Sequence, residues 1–216
     1  MMTGMPGPVR RCLTVVLALV AAGVVGCAPS VPDVPDAARS QVPLHAPIAP
    51  WFGQGRLEIS YPAHRMSCTA LVRHLADGHM RLVLLSDEGL ELLDLTASAS
   101  GESVTMMLPE MKRAVAPLAR LIREAYGVPP EGAATWDDGH LVVVSGDDTR
   151  LYGGDPILLR AVSGPGLNLM LANYRFLGPD LMPLEVIGSA PFITITLSFA
   201  PDAVHVAHAA VTLQAK

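Results

Sequence analysis

The polar side chains that could do catalytic chemistry in this 216-residue sequence do not form a recognisable catalytic set. Ser163 lies in a Ser-Gly-Pro-Gly segment, which is typical of a turn between strands rather than of a nucleophile at a strand-to-helix elbow. His205 and His208 are three residues apart, so a strand would place them on opposite faces, where they would not share a metal ion. His74 and His79 flank a predicted hairpin turn and are expected at the surface. We therefore predict that the chain is not an enzyme and has no catalytic residue, metal site or cofactor.

Two acidic pairs, Asp137-Asp138 and Asp147-Asp148, could suggest a calcium site. A calcium-binding loop supplies oxygen ligands at regular intervals over about twelve residues, and neither pair is followed by such a series. Aspartate is also common in turns, because its side chain hydrogen-bonds to nearby backbone groups. Both pairs are therefore interpreted as turns between strands.

Cys27 carries a clearer chemical signal. Arg10 and Arg11 precede an uncharged apolar stretch at residues 13–25, which is the pattern of a secretory signal and too short for a membrane span. The stretch ends in Val-Val-Gly-Cys at residues 24–27, which resembles the bacterial lipobox. That resemblance implies a signal peptide at residues 1–26, cleavage before Cys27 and acylation of its sulfur and amine. The alternatives are an uncleaved anchor or cleavage elsewhere.

The residues after Cys27 indicate where the chain is anchored. Ala28 stands where an aspartate would retain a Gram-negative lipoprotein in the inner membrane, so we expect the periplasmic face of the outer membrane, with the inner membrane as the alternative. Residues 27–50 are predicted to be a lipidated, proline-rich tether in which proline spacing prevents a continuous helix or strand. Its prolines are Pro29, Pro32, Pro35, Pro43, Pro47 and Pro50. A part of the tether could still pack on the domain that follows.

Composition and charge exclude several classes of protein. Half of the residues are hydrophobic and 16% are charged, which excludes disorder over most of the chain. The net charge of −5 excludes a strongly basic nucleic-acid binder, and no nucleic-acid partner is expected. Loss of the signal peptide, which holds two arginines and no acids, gives −7, so the membrane partner must be held by acyl chains rather than by charge. Cys68 is then left without a cysteine partner and is predicted to be a small buried residue.

Residues 51–216 are predicted to form one mainly β domain. Runs of alternating or wholly apolar residues, separated by turn signals, give about eleven or twelve antiparallel strands. The predicted strands are residues 56–61, 68–75, 80–86, 90–95, 103–108, 141–145, 149–152, 157–162, 167–176, 184–188, 192–199 and a closing segment at 204–213. This pattern favours a meander that closes into a barrel or a deeply curved sheet.

One helix is predicted at residues 109–126, where apolar residues recur at helical spacing. Pro117 fits the first turn of a helix and not its interior, so either the helix proper spans 117–126 or it kinks there. Several strands are apolar on both faces, and a helix across the opening of a curved sheet would cover the second face and enclose an apolar space. The residues predicted to line that space as a ligand pocket are Met106, Leu108, Met111, Leu118, Ile122, Ile193, Ile195 and Leu197. Ordinary core packing is the alternative for each methionine.

Several stretches together resemble the LolA/LolB-like superfamily, and most of all the LolB-like outer-membrane lipoproteins. The stretches are Gly55-Arg56-Leu57, residues 80–95, the helix with Gly127-Val128-Pro129, Tyr174-Arg175-Phe176, residues 181–184 and the strand at 192–199, within residues 53–213. The resemblance implies a half-open antiparallel β-barrel with a helical lid over an apolar cavity that takes acyl chains. It also implies a leucine on a hairpin loop that contacts the membrane, for which Leu90 is the match.

Two functions are consistent with these features. The first is an envelope lipoprotein that binds a lipid or acylated ligand in an apolar cavity, in lipoprotein or lipid transport to the outer membrane. The second is a non-enzymatic accessory lipoprotein of an envelope complex, with no small ligand and with the same apolar faces serving as core. An open or a filled space beneath the helix distinguishes the two.

Overall fold

The computed structural model describes residues 30–41, 49–128 and 131–207. The predicted signal peptide, Cys27 and His208 lie outside these residues, as do residues 28–29 and 42–48 of the predicted tether and the end of the closing segment. From Pro32 onward the chain forms one compact unit. Every helix, strand and core cluster that the structure describes lies in this unit, so a chain beginning at Ala28 retains the whole described fold.

Twelve strands form a single antiparallel sheet, in agreement with the predicted number of eleven or twelve. They are β1 (Trp51–Ser60), β2 (Arg65–His74), β3 (Met80–Leu85), β4 (Glu91–Ser98), β5 (Gly101–Met107), β6 (Ala133–Asp137), β7 (His140–Ser145), β8 (Asp148–Gly153), β9 (Leu158–Ser163), β10 (Asn168–Leu177), β11 (Asp180–Ala190) and β12 (Ile193–Val206). β6 was not predicted, and β12 joins two segments that were predicted as separate strands.

The strand order is β5-β4-β3-β2-β1-β12-β11-β10-β9-β8-β7-β6. Hairpins connect most neighbours, and pairing of the first and last strands joins the two halves at the centre of the sheet. β5 and β6 lie at opposite edges, so the sheet does not close on itself. The fold is therefore the half-open antiparallel barrel that the family resemblance implied.

The long connection between the two edges holds the lid. A 3₁₀ helix (Pro109–Arg113) leads into the α-helix α1 (Val115–Tyr126). Pro117 is the third residue of α1, where its missing N–H would lack an intrahelical partner in any case. The sequence left open a kink or a late start, and the structure shows a short helix that begins two residues before the proline. Within the described residues, no helix is long and apolar enough to cross a membrane.

The main core lies between α1 and one face of the sheet. Alternate residues of β1, such as Leu57 and Ile59, point to this face and are fully buried. α1 contributes its buried side, and it packs on β3, β4 and β11. On β11 the residue beneath the helix is Gly188, where a Cβ would lie 3.3 Å from Leu121 Cδ1. The missing side chain therefore permits the close approach of helix and sheet.

A smaller core includes part of the predicted tether. A 3₁₀ helix spans Asp36–Ala38. Val34, which precedes it, and Ala38, its last residue, are both buried against a cluster formed by Leu141, Tyr152 and Ile157. The Val34 N–H donates a hydrogen bond to the Gly139 carbonyl (2.6 Å). The described start of the tether is thus packed on the sheet by its apolar residues, although its prolines exclude a longer helix.

Candidate ligand-binding site

Five of the eight predicted pocket residues meet in the main core. Met111, Leu118 and Ile122 come from the lid segment, and Ile195 and Leu197 come from β12. Ile193 is half-buried and packs against the same cluster. The sequence pattern therefore correctly predicted that these residues meet, although they lie up to 86 positions apart in the chain, from Met111 to Leu197.

Met106 and Leu108 lie away from this core. The register between β4 and β5 shifts between Asp94 and Leu95, so that Asp94 is paired with Met106 and Leu93 with Met107. Met107 consequently packs on the core, whereas Leu108 is exposed. A β-bulge of this kind turns the following residues to the other face, which simple alternation does not anticipate.

The space beneath α1 is filled by side chains. Leu118, Ala119, Leu121, Ile122 and Tyr126 have no exposed surface. The opposing strands meet them with residues that are equally buried, including Leu82, Leu84, Leu93 and Leu95. The lid is therefore closed on the sheet, and an apolar ligand could reach the interior only if the helix moved.

A cavity of about 680 Å³ opens at the C-terminal end of α1. Its lining combines the apolar Met80, Ala97 and Val128 with charged residues of the helix end and the following segment, and its rim includes the β2–β3 and β4–β5 turns. The charged residues are Arg123, Glu124 and Glu131, with Asp77 on the rim. Met80 and Ala97 are register partners on adjacent strands and are almost fully buried. We call this cavity the mouth, since it lies over buried core residues at the end of the lid.

Three aromatic rings pack together beside the mouth. The Trp51 ring meets the Tyr126 ring edge to face with centroids 5.3 Å apart, and Phe199 lies 6.2 Å from Trp51 and 6.1 Å from Tyr126. The Tyr126 hydroxyl donates to the Pro183 carbonyl (3.3 Å), and burial raises the pKa of this phenol well above its usual value. The cluster fixes the last residue of α1 to the centre of the sheet.

Two buried polar atoms next to these rings have no hydrogen-bond partner among the described residues. They are Trp51 Nε1 and His74 Nε2. Trp51 and His74 are register partners on β1 and β2, and His74 Nδ1 donates to the Ala49 carbonyl (3.2 Å). The prediction that His74 lies at the surface is therefore wrong: it is the last residue of β2 and points to the core. His79, beyond the turn, is half-buried, and its Nδ1 lies 2.7 Å from an Asp77 carboxylate oxygen.

Two ion pairs hold α1 to β8, and we call them the clasp. Arg120 on the helix lies 2.7 Å from Asp148 of β8, and Glu124 on the helix is paired with Arg150 of β8. The Arg150 side chain is only 1% exposed, so this second pair lies within the core. Arg120 also donates to the Pro165 carbonyl (2.7 Å). Sequence reasoning missed the clasp, although Arg120 and Glu124 have helical i,i+4 spacing.

The remaining candidates do not converge on a catalytic arrangement. Ser163, Asp138 and Asp147 lie at strand ends and turns, as the sequence predicted. Within residues 30–41, 49–128 and 131–207, no three His, Cys, Asp or Glu side chains are placed to hold a metal ion. Leu90 is 67% exposed beside the β3–β4 turn, at the end of the sheet opposite the mouth.

Cys68 is buried in the core, as predicted, and its Sγ lies 3.8 Å from the Leu57 carbonyl oxygen. Burial raises the pKa of its thiol to about 11, with a smaller contribution from Asp87. In a chain beginning at Ala28 it is the single cysteine. We expect this chain to react with a thiol reagent at pH 8 at least 100-fold more slowly when native than in urea. A native rate close to the unfolded rate would contradict the buried position.

Comparison with known proteins supports the fold. No protein-family model and no curated protein sequence matches the chain. Among solved structures, a LolA superfamily protein from Nitrosomonas europaea superposes with a TM-score of 0.54 at 10% identity, covering 80% of this chain and 93% of that one. Two further solved structures are more weakly similar. A Vibrio parahaemolyticus domain described as an outer-membrane lipoprotein-sorting protein has a TM-score of 0.47 at 6% identity and covers 74% of this chain and 86% of that one. A DUF1329 family protein from Desulfovibrio piger has a TM-score of 0.41 at 8% identity and covers 73% of this chain and 85% of that one. The chain therefore has a LolA/LolB-like fold.

Proposed function

We propose that this chain, which has the LolA/LolB-like fold, is a bacterial envelope lipoprotein that binds an acyl chain between α1 and the sheet. The observation that carries the proposal is the mouth: a cavity of about 680 Å³, with Met80, Ala97 and Val128 in its wall, that opens beside a mainly apolar core at the end of the lid helix. Binding pockets for small ligands commonly have this size and apolar character.

The contacts of α1 indicate how the interior would open. The clasp holds the helix to β8 through charged groups, whereas its contacts with β3 and β4 are apolar side-chain packing. Packing of this kind can be replaced by an acyl chain at little cost, while separation of a buried ion pair is expensive. The helix would therefore swing about the clasp and admit the acyl chain on the β3–β4 side, where the mouth lies.

The unpartnered atoms beside the mouth suit the polar end of such a ligand. Trp51 Nε1–H is a donor within the core and would pair with an ester or carboxyl oxygen. His74 lies directly across from Trp51 on the neighbouring strand. The ligand would thus place its polar group at the aromatic cluster and its chain along Met111, Leu118 and Ile122.

Anchoring belongs to the same proposal. Cys27 would carry the lipid that holds the chain on the periplasmic face of the outer membrane, and the tether would supply the reach. The exposed Leu90 would contact the bilayer at the far end of the sheet. A protein with both an acyl-binding site and a lipid anchor would be suited to the transport of a lipid or lipoprotein to the outer membrane, and we propose this process.

A photoreactive fatty acid tests the acyl site. In a chain beginning at Ala28, a diazirine-bearing palmitate should label peptides of α1 and β3–β4. Val128→Glu should reduce labelling at least fivefold, because Val128 lies at the mouth, is 74% exposed and can be changed without disturbing the core. Phe192→Glu is the control, since Phe192 is 76% exposed at the opposite end of the sheet.

The filled interior favours the second candidate, an accessory lipoprotein of an envelope complex without a small ligand. In that function the side chains beneath α1 are a permanent core, and the mouth is a surface feature. Absence of labelling in the unaltered chain, together with a stable protein partner in envelope extracts, would favour this function over the acyl site.

A further inference from the structure

A second cavity lies on the other face of the sheet, away from α1. It is a groove of about 830 Å³ across β12, β1, β2 and β3. Its floor is a grid fixed by strand register: Phe52, Arg73 and Arg81 form one row, and Gln54, Leu71 and Val83 form the next. Arg56 lies one further row along β1. We call this cavity the outer groove.

The outer groove is positively charged although the chain is acidic. Arg56, Arg73, Arg81 and His205 line it, and no aspartate or glutamate from the described ranges does so. The whole chain has 20 acidic and 15 basic residues, so a groove with only basic groups departs from the overall balance. A concave surface of one charge attracts ligands of the opposite charge.

The arginines differ in how far they are already neutralised. Arg81 makes two hydrogen bonds to the Asp94 carboxylate, at 2.9 and 2.7 Å. Arg56 lies 3.4 Å from Glu58. Arg73 has no ion pair among the residues that the structure describes, and it stands directly opposite Arg81. Two like charges at opposite positions of an antiparallel pair repel each other, so an anion bound at Arg73 would relieve an unfavourable contact.

Apolar side chains lie next to these charges. Phe52 is exposed on the same row as Arg73, and Leu71 is exposed on the adjacent row. Val83 continues this row on β3. A sheet face that meets only water commonly carries polar residues, so exposed apolar residues beside unpaired arginine indicate a ligand with both characters.

We propose that the outer groove binds one anionic phospholipid molecule, with its phosphate at Arg73 and Arg81 and its acyl chain along Phe52, Leu71 and Val83. Guanidinium groups bind phosphate oxygens through paired hydrogen bonds, and Arg81 retains donors beyond the two that bind Asp94. The groove volume is in the range of small-ligand sites. This site is separate from the mouth and does not depend on opening of α1.

The test uses the chain beginning at Ala28 and short-chain lipids that stay monomeric in water. Titration calorimetry should show dihexanoyl phosphatidylglycerol binding at least tenfold more tightly than dihexanoyl phosphatidylcholine. Arg73→Gln should weaken phosphatidylglycerol binding about tenfold, because Arg73 supplies the unpaired charge. Arg113→Gln is the matched control, since Arg113 is an exposed arginine of the lid segment outside the groove. Both variants should keep the melting temperature of the unaltered chain.

Two further measurements separate the sources of the signal. Leu71→Ser should weaken lipid binding but leave any binding of inorganic phosphate unchanged. Equal affinity for the two lipids, equal effects of Arg73→Gln and Arg113→Gln, or inorganic phosphate binding as tightly as phosphatidylglycerol would each overturn the proposal. Val128→Glu at the mouth should not alter phosphatidylglycerol binding, so this result is independent of the acyl-site test.

Discussion

Replacement of Glu124 by alanine should lower the free energy of unfolding by about 3–5 kcal/mol, because it leaves the Arg150 guanidinium buried without its counter-charge. The Arg150 side chain is 1% exposed. One of its nitrogens, Nη1, already has no hydrogen-bond partner among the described residues. The variant would therefore contain a desolvated cation with no carboxylate, and urea unfolding followed by circular dichroism would measure the loss.

The double variant Glu124→Leu with Arg150→Met tests whether the loss arises from the unpaired charge. Apolar residues of similar volume often replace a buried ion pair without loss of stability, so most of the free energy should return. Glu102→Ala is the control, because Glu102 is an exposed acid on the edge strand β5. A Glu124→Ala variant as stable as Glu102→Ala would show that the clasp does not hold α1.

Replacement of Trp51 by alanine should cost about 3–5 kcal/mol, the usual range for removal of a large buried aromatic side chain. The ring is fully buried and touches both Tyr126 and Phe199, so its loss would open a cavity at the end of α1. The loss should appear in urea unfolding and also as faster alkylation of Cys68, because the lid would be less firmly closed.

Trp136 provides the matched control for this change, since the sequence holds two tryptophans. Trp136 is 42% exposed on the edge strand β6, and its replacement by alanine should cost about 1 kcal/mol or less. Trp51→Phe should cost less than Trp51→Ala, because it keeps apolar volume and removes a buried donor that has no partner among the described residues. Equal losses for Trp51→Ala and Trp136→Ala would contradict the aromatic cluster as the fixed end of the lid.

Alternation of residue types was sufficient to predict most strands. The segment at 192–199 has β-branched, aromatic or leucine residues at every second position, and this face is buried in β12. Short-range turn signals similarly located the hairpins after β2, β3 and β7, and the turn that precedes β7. These features depend on residues close together in the chain, so a sequence pattern can reveal them.

The departures have longer-range causes. β12 continues through Pro201 because residues 200–203 have no register partner on β1. At this point the proline does not have to donate a backbone hydrogen bond to the neighbouring strand. All five residues of β6 are exposed, so its sequence has no alternation of buried and exposed residues that would predict a strand. β6 is a strand because it pairs with β7. The register shift between Asp94 and Leu95 likewise depends on pairing with a neighbouring strand, and it turns Met106 away from the core.

Apolar periodicity indicates which side of each element is buried, so it predicted a mainly β domain with one lid helix, a buried Cys68 and most of the residues that meet beneath the lid. Three properties became evident only in the folded chain: the filled space beneath α1, the pairing of Glu124 with Arg150 within the core, and the groove on the other face that is lined by arginines from three strands. These properties arise from contacts between residues 26 or more positions apart, as with Glu124 and Arg150, or from strand register. Neither long-range contacts nor strand register can be recognised from a short stretch of the chain.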